Sequence, residues 1–250
     1  MKKLIVLLAF LASHLAWAGG GLFELHDRLA AQAGSGPRVA LTLDACGGDY
    51  DGNLIDFLVR NRIPATLFAT RKWLDRNPAG LAVIKAHLDL FDVEDHGENH
   101  VPAVIGAGRR VYGIAAEPDV SHLEREVAAG AQAVAAATGI TPHVYRGATA
   151  IYDAQALAAI NRMGYVVAGF SVNADAGATL SRAAIEARLR NVHDGDIIIA
   201  HMNKPKSDSA EGLAAGLSEL VRSGYTFVRL DQAGIIAVDD AAARARRIRG

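Results

Sequence analysis

His96 and His100 stand four residues apart in the segment Asp95-His96-Gly97-Glu98-Asn99-His100. On one helical turn that spacing puts both imidazoles on one side, two nitrogen donors suited to a tetrahedral or octahedral divalent ion. Glu98 falls on the opposite face, so the His-Glu-x-x-His arrangement of a zinc protease is absent and Glu98 is not a general base of that kind. Asp44 closes an apolar run, Arg38–Asp44 (RVALTLD), where a lone carboxylate is costly unless paired. Arg146, Asn173, Asp175 and His201 also fall at or just after the ends of apolar runs. The single cysteine, Cys46, lies beside Gly47 and Gly48. One cysteine excludes an intrachain disulfide framework and a cysteine-rich zinc module, so a metal is expected mainly on His, Asp or Glu. A nucleophilic Cys46 needs a His partner, and none is evident nearby in the sequence.

The elements that must position these residues alternate strand and helix. Strands are expected at Arg38–Asp44, Ala65–Ala69, Leu88–Val93, His143–Arg146, Tyr165–Val172, Asp196–His201 and Tyr225–Leu230. Helices are expected at Leu54–Asn61, Ala79–His87, Asp119–Thr138, Asp153–Met163, Leu180–Asn191 and Ala210–Ser223. The rhythm predicts an α/β fold, a distorted (β/α)7 barrel in a single domain. In such folds the C-terminal ends of the strands and the loops after them build the site, which would gather Asp44, His96, His100, Arg146, Asp175 and His201 at one end. Asp51, just before Gly52 and the helical stretch, reads as a helix N-cap.

The ends of the chain read differently. Lys2 and Lys3, the apolar run from Leu4 to Leu15 and Ala16-Trp17-Ala18 have the three parts of a secretory signal peptide, expected to span 1–18. The run is short of the about 20 residues that cross a bilayer. An N-terminal extension follows over 19–37, with Leu22, Phe23, Leu25 and Leu29 on a helical period. The main domain is placed at 38–236, and the basic tail at 237–250 (ending ARARRIRG) reads as a solvated terminal helix. The chain has 250 residues, 51% hydrophobic, with a formal charge of −1, which offers no electrostatic case for nucleic acid or anionic membrane as a partner. The expectation is an exported protein, periplasmic or secreted, with no stable membrane anchor after signal cleavage. ATP and NAD chemistry is not expected there, whereas cell-wall and glycan chemistry is.

These residues resemble the polysaccharide deacetylases of the NodB-homology type, carbohydrate esterase family 4, over roughly Arg38 to Leu230. The family's Thr-Phe-Asp-Asp-Gly motif is matched by Thr42-Leu43-Asp44-Ala45-Cys46-Gly47, and its His-x-x-x-His by His96 and His100. Its strand-end Arg is matched by Arg146 in Tyr145-Arg146-Gly147-Ala148, and its apolar run ending in His by Ile197-Ile198-Ile199-Ala200-His201. Ser171-Val172-Asn173-Ala174-Asp175 loosely matches its Asp-containing segment. The chain departs from the pattern at Ala45, where the family has its metal-binding second Asp, and at Gly147-Ala148-Thr149, where the family's motif is proline-rich.

The resemblance implies hydrolysis of an N-acetyl or O-acetyl group from a polysaccharide or oligosaccharide such as peptidoglycan or a chitin-like chain. It implies a divalent metal on His96, His100 and a carboxylate. Zinc suits the His ligands, with cobalt and manganese as the other candidates. Asp51 is the preferred carboxylate, because its loop can fold back towards Asp44; Asp49 and Asp44 itself are the alternatives. Asp44 is implied as general base, Arg146 as the cation that keeps it ionised, His201 as general acid, Asp175 as the group that keeps His201 protonated, and a backbone N–H near Gly147 as an oxyanion donor. Tyr50, Tyr145, Tyr152 and Phe170 are candidate stacking surfaces for sugar rings. Two competing readings are a glycan-binding relative that has lost the metal, favoured by Ala45, and an amidase acting on a non-sugar amide.

Overall fold

The central strands of this protein are buried on both faces, and the reason is their setting in a parallel sheet. A computed structural model describes residues 21–32 and 36–237. The expected signal peptide at 1–18 and all but one residue of the expected tail lie outside the described residues. Strands β1 (Arg38–Ala45), β2 (Ala65–Ala69), β3 (Phe91–Asp95), β4 (Val144–Tyr145), β5 (Val166–Val167), β6 (Val172–Asn173), β7 (Ile197–His201) and β8 (Thr226–Val228) form one eight-stranded sheet. Its order is β5-β4-β3-β2-β1-β7-β6, with β8 beside the first half of β1, and every pairing is parallel. Helices α1 (Gly52–Arg60), α2 (Arg71–Arg76), α3 (Pro78–Lys85), α4 (Val120–Thr138), α5 (Ala154–Arg162), α6 (Arg182–Leu189) and α7 (Ser209–Arg222) fall between the strands in chain order.

The expected strand Tyr165–Val172 is divided. Its first part joins β4 at one edge of the sheet and its last part joins β7 at the other. Between them Ala168 N donates to Tyr145 O (2.9 Å) and Ser171 N to Ile197 O (2.9 Å), so one segment draws the two edges together and curls the sheet. This leaves a seam at Gly169–Phe170 whose backbone groups need partners. The N-terminal extension supplies them: Phe170 N donates to Leu25 O, Asp27 N donates to Phe170 O, and Gly169 N donates to Asp27 Oδ2 at 2.6 Å. The extension is therefore two short strands, Phe23–Glu24 and Asp27–Leu29, rather than the expected amphipathic helix. Docking along a seam of unpaired peptide groups favours extended backbone over helical periodicity.

The strands divide their side chains by parity. Val39, Leu41, Leu43 and Ala45 of β1, with Leu67, Val93, Ile198 and Ala200, join the apolar layer under the helices. Ala40, Phe68, Val144, Ile197 and Ile199 form the inner core. Continuing the inner register leads to Thr42 and Asp44 on β1, to Arg146 after β4 and to His201 on β7. On β3 the same parity holds Asp92 and Glu94 and continues to His96. The third strand runs from Phe91 to Asp95 instead of Leu88–Val93, because residues 86–90 form a turn after α3. Asp51, Thr70, Asp119, Asp153 and Ser181 cap the N-termini of α1, α2, α4, α5 and α6 through their side chains.

Asp92 and Glu94 are buried carboxyls inside the curled sheet, 6% and 3% exposed. Glu94 Oε2 accepts from His143 N and Val144 N, each at 2.9 Å. Burial, with Asp92 beside it, still pushes Glu94 up to about 8; burial and the charge of Asp231 push Asp92 to about 6, against the pull of Arg229. The folded chain thus holds protons that the unfolded chain releases near pH 4–5, and stability falls as pH rises from there through about 8. Thermal melts of Glu94→Gln, which keeps the oxygen acceptor, are expected to lose less stability than the native chain between roughly pH 5 and pH 9, by about 2–4 °C for each kcal/mol recovered. Identical pH slopes would refute the assignment.

Candidate active site

Neighbouring strands bring Asp44 and His201 side by side: the two are register partners on β1 and β7. Behind Asp44 lies Arg146, fully buried. Its Nη1 donates to Asp44 Oδ1 (3.0 Å) and Thr42 Oγ1 (2.8 Å), Nη2 to Gly169 O (3.0 Å) and Nε to Ala168 O (3.3 Å). Its Cζ stands 4.2 Å from the centroid of the Phe68 ring. The planar guanidinium thus has an acceptor along each edge and an aromatic face against its plane. Burial alone would raise the Asp44 carboxyl; the charges of Arg146, His96 and His201 outweigh it and hold Asp44 below its ordinary value.

His96 is 1% exposed. Its Nδ1 lies 2.6 Å from Arg146 O, an acceptor only, so Nδ1 carries the proton and donates it. In the neutral ring Nε2 is then a free lone pair, 3.6 Å from Cys46 Sγ and 3.8 Å from Asp44 Oδ2. Burial lowers His96, but Asp44 and Cys46 outweigh it and push it up to about 9. His100 is reached through a loop, not the expected helical turn: Gly97 has φ +85° and His100 φ +66°. Glu126 of α4 straps that loop, its Oε1 accepting from Asn99 N (2.7 Å) and Val101 N (3.2 Å) while its carbonyl accepts from Glu98 N (3.0 Å). Gly130 permits the contact, since a Cβ there would stand 2.2 Å from Asp95 Oδ1 and 2.5 Å from Gly97 C. The result is an edge-to-face pair of imidazoles, His96 and His100, with centroids 5.0 Å apart. Glu98 points away and pairs with Arg71.

Among the described residues, the donor atoms of Cys46, His96 and His100 all lie within 4.8 Å of one another. Ligand atoms around a tetrahedral zinc ion stand roughly 3.3–3.8 Å apart, so this trio fits a divalent ion with little movement. Burial opposes ionisation of Cys46, yet hydrogen bonding with His100, His201 and His96 holds its thiol well below the ordinary value. The structure does not bring Asp51 to this point. Its Oδ1 accepts from Leu54 N (3.2 Å) and caps α1. Asp49 is exposed and holds Arg76 (2.9 and 2.7 Å). The side chain nearest the two imidazoles is therefore the thiol of Cys46, not the carboxylate of Asp51 or Asp49.

On the other side of Asp44, His201 Nδ1 donates to Asp175 Oδ1 (2.8 Å). Asp175 is fully buried, and its Oδ2 accepts from His201 N and from Ser209 Oγ, each at 2.9 Å. Burial works against a charged imidazole there, but Asp175 and Cys46 raise His201 well above its ordinary value. The Gly147 N–H expected as an oxyanion donor is occupied by Tyr152 Oη at 2.9 Å. Tyr145 and Tyr152 are fully buried, Phe170 is 4% exposed and Tyr50 packs on Trp73, so these rings are core rather than sugar platforms.

Two residues beside the imidazole pair carry sequence signals for their position there. Cys46 continues the inner parity of Thr42 and Asp44, a period-two signal that runs past the end of the strand. Glu126 lies on the buried stripe of α4 with Leu123, Val127, Gly130 and Val134, where a charge needs a reason.

Residues 31–168 match the family profile described as polysaccharide deacetylase. No curated protein matches the chain. Solved structures share its fold. A peptidoglycan N-acetylglucosamine deacetylase has a TM-score of 0.65 and 18% identity over 78% of this chain and 86% of its own. PdaA of Bacillus subtilis, a family 4 carbohydrate esterase, has 0.61 and 20% over 78% and 80%. A pseudoenzyme of the same esterase family from Bacillus anthracis has 0.63 and 17% over 78% of this chain, which spans 64% of that protein's length.

Replacing Glu126 with Ala removes the acceptor for two loop amides. Zinc affinity, measured by competition with a chromophoric chelator, is expected to fall about 10–100-fold, with circular dichroism unchanged. Native affinity in a folded variant would remove Glu126 from the site.

Proposed function

The chain belongs to the polysaccharide deacetylase family, and from that premise we propose that it is a metal-dependent hydrolase releasing acetyl groups from a carbohydrate such as peptidoglycan or a chitin-like oligosaccharide. The observation that carries the reading is the placing of Asp44, paired with Arg146, and His201, paired with Asp175, as strand neighbours beside the imidazole pair of His96 and His100. His96 and His100 would hold the ion. When bound, it would polarise the acyl carbonyl and lower the pKa of the attacking water.

The chain's own groups then divide the proton work. Asp44, kept anionic by Arg146, takes the proton of the attacking water through the oxygen facing His96. His201 gives its Nε2 proton to the leaving nitrogen or oxygen. Asp175 holds the opposite ring nitrogen, so His201 keeps its orientation and its charge until that transfer. The likeness to a peptidoglycan N-acetylglucosamine deacetylase supports a cell-wall glycan as substrate. An exported, periplasmic or secreted protein, processed after 18, completes the proposal. Among the described residues no helix is long and apolar enough to cross a membrane.

A second reading, a glycan-binding relative without catalysis, draws on Ala45 and on the structural likeness to a pseudoenzyme. Acetate release separates the two. Purified protein is expected to release acetate from N-acetylglucosamine oligomers or peptidoglycan, to lose that activity on exhaustive chelation and to regain it with zinc. His201→Gln is expected to lower kcat/KM about 10²–10⁴-fold while leaving the fold and metal content intact. Activity indifferent to metal removal, or to His96→Ala, would overturn the mechanism.

A further inference from the structure

We propose that Cys46 Sγ is the third protein ligand of the metal, standing in for a carboxylate, and that the site is thereby built for a thiophilic ion. The inference rests on the metal-binding role given to His96 and His100 above and deepens it.

Four observations carry it. Sγ is 3.6 Å from the Nε2 of His96, and because Nδ1 is engaged by Arg146 O, Nε2 is the ring nitrogen left to face an ion. His96 is 1% exposed, so solvent does not compete for that nitrogen. The backbone that presents Sγ is held on both sides. Thr70 donates through its amide to Ala45 O (3.2 Å) and through its hydroxyl to Cys46 O (2.7 Å). Beyond Cys46 the chain passes tightly under the β7–α7 loop, where a Cβ on Gly48 would lie 2.0 Å from Asn203 O. Finally, among the described residues no carboxylate joins the two imidazoles as closely as Cys46 does: Asp51 caps α1 through Oδ1, Asp49 holds Arg76, and Asp44 gives Oδ1 to Arg146 and stands with Oδ2 3.8 Å from His96 Nε2.

A thiolate with two imidazoles is a borderline-soft donor set. It favours zinc and cobalt(II) over manganese and magnesium, which an all-oxygen or His-carboxylate site accepts more readily. On binding, the ion takes the place of the proton held between Cys46 Sγ and His96 Nε2, which passes to solvent, and no redox change is involved.

Cobalt(II) substitution reads this directly, without reference to activity. The chelated protein reloaded with one equivalent of cobalt is expected to show a sulfur-to-cobalt charge-transfer band in the near ultraviolet beside visible d–d bands. Cys46→Asp should keep d–d bands and lose the charge-transfer band. His96→Ala should weaken cobalt binding at least tenfold. A second measurement uses the native chain alone. Cys46 is its only thiol, so alkylation by iodoacetamide reports on one atom, and equimolar zinc should slow it at least tenfold. Cobalt bound through the histidines with no charge-transfer band, or alkylation unaffected by zinc, overturns the sulfur ligand while leaving the deacetylase reading in place. A full sulfur signature in a protein that releases no acetate does the reverse.

Discussion

The ion pair between Arg146 and Asp44 is the constraint around which the rest of the structure is arranged. Both groups lie in the interior of a curled parallel sheet, where an unpaired charge is destabilising by several kcal/mol. The pair survives because the guanidinium is fully engaged: one carboxylate oxygen, one hydroxyl, two carbonyls and the face of Phe68. Those partners come from three different pieces of the fold. Thr42 and Asp44 fix the register of β1, Phe68 comes from β2, and Ala168 and Gly169 come from the segment that draws the sheet's edges together. The position of Arg146 is thus determined by the closure of the sheet, and the ionised state of Asp44 follows from the position of Arg146.

The same residue acts through its backbone. Arg146 O receives the Nδ1 proton of His96, which turns Nε2 towards Cys46 and Asp44, and Arg146 N donates to Asp95 O at the end of β3. One residue therefore sets the charge of the carboxylate with its side chain and the tautomer of the imidazole with its main chain. Asp27, from the N-terminal extension, sits on the far side of the seam, where it accepts from Gly169 N and feels the charge of Arg146. The extension thereby seals the end of the ionic network that lies opposite the open site.

How much of this was legible follows from the range over which sequence signals act. Period-two alternation extends along a strand, so the apolar runs located the main strands, and the polar residues at their ends (Asp44, Arg146, His201) were correctly placed at one end of the sheet. Helix caps are local, and Asp51 was readable as one from Gly52 and Leu54 alone. What failed were features set by contacts distant in sequence. The His96–His100 loop looks helical by spacing, but its shape is imposed by Glu126, more than twenty residues on. The N-terminal extension has helical periodicity, but unpaired peptides of Gly169 and Phe170 make it extended. Tyr165–Val172 reads as one strand because nothing within it reports that two different neighbours will take its ends.

The replacement at position 45 follows the same parity. Ala45 is outward, packed in the apolar layer with Trp73 and Met202, and a carboxylate there would be buried in that layer with no cation beside it. Position 46 is the next on the inner register, free of the ladder because β1 ends at Ala45, and its backbone is fixed by Thr70. A small, soft donor suits that place better than a carboxylate, because Asp44 already supplies a negative charge and a second fixed anion beside it would raise the proton affinity of both. An alanine at position 45 is therefore not by itself the loss of a site: the proposed ligand stands one residue along the chain and is sulfur in place of oxygen, while Asp44 and His201 remain side by side on the inner register.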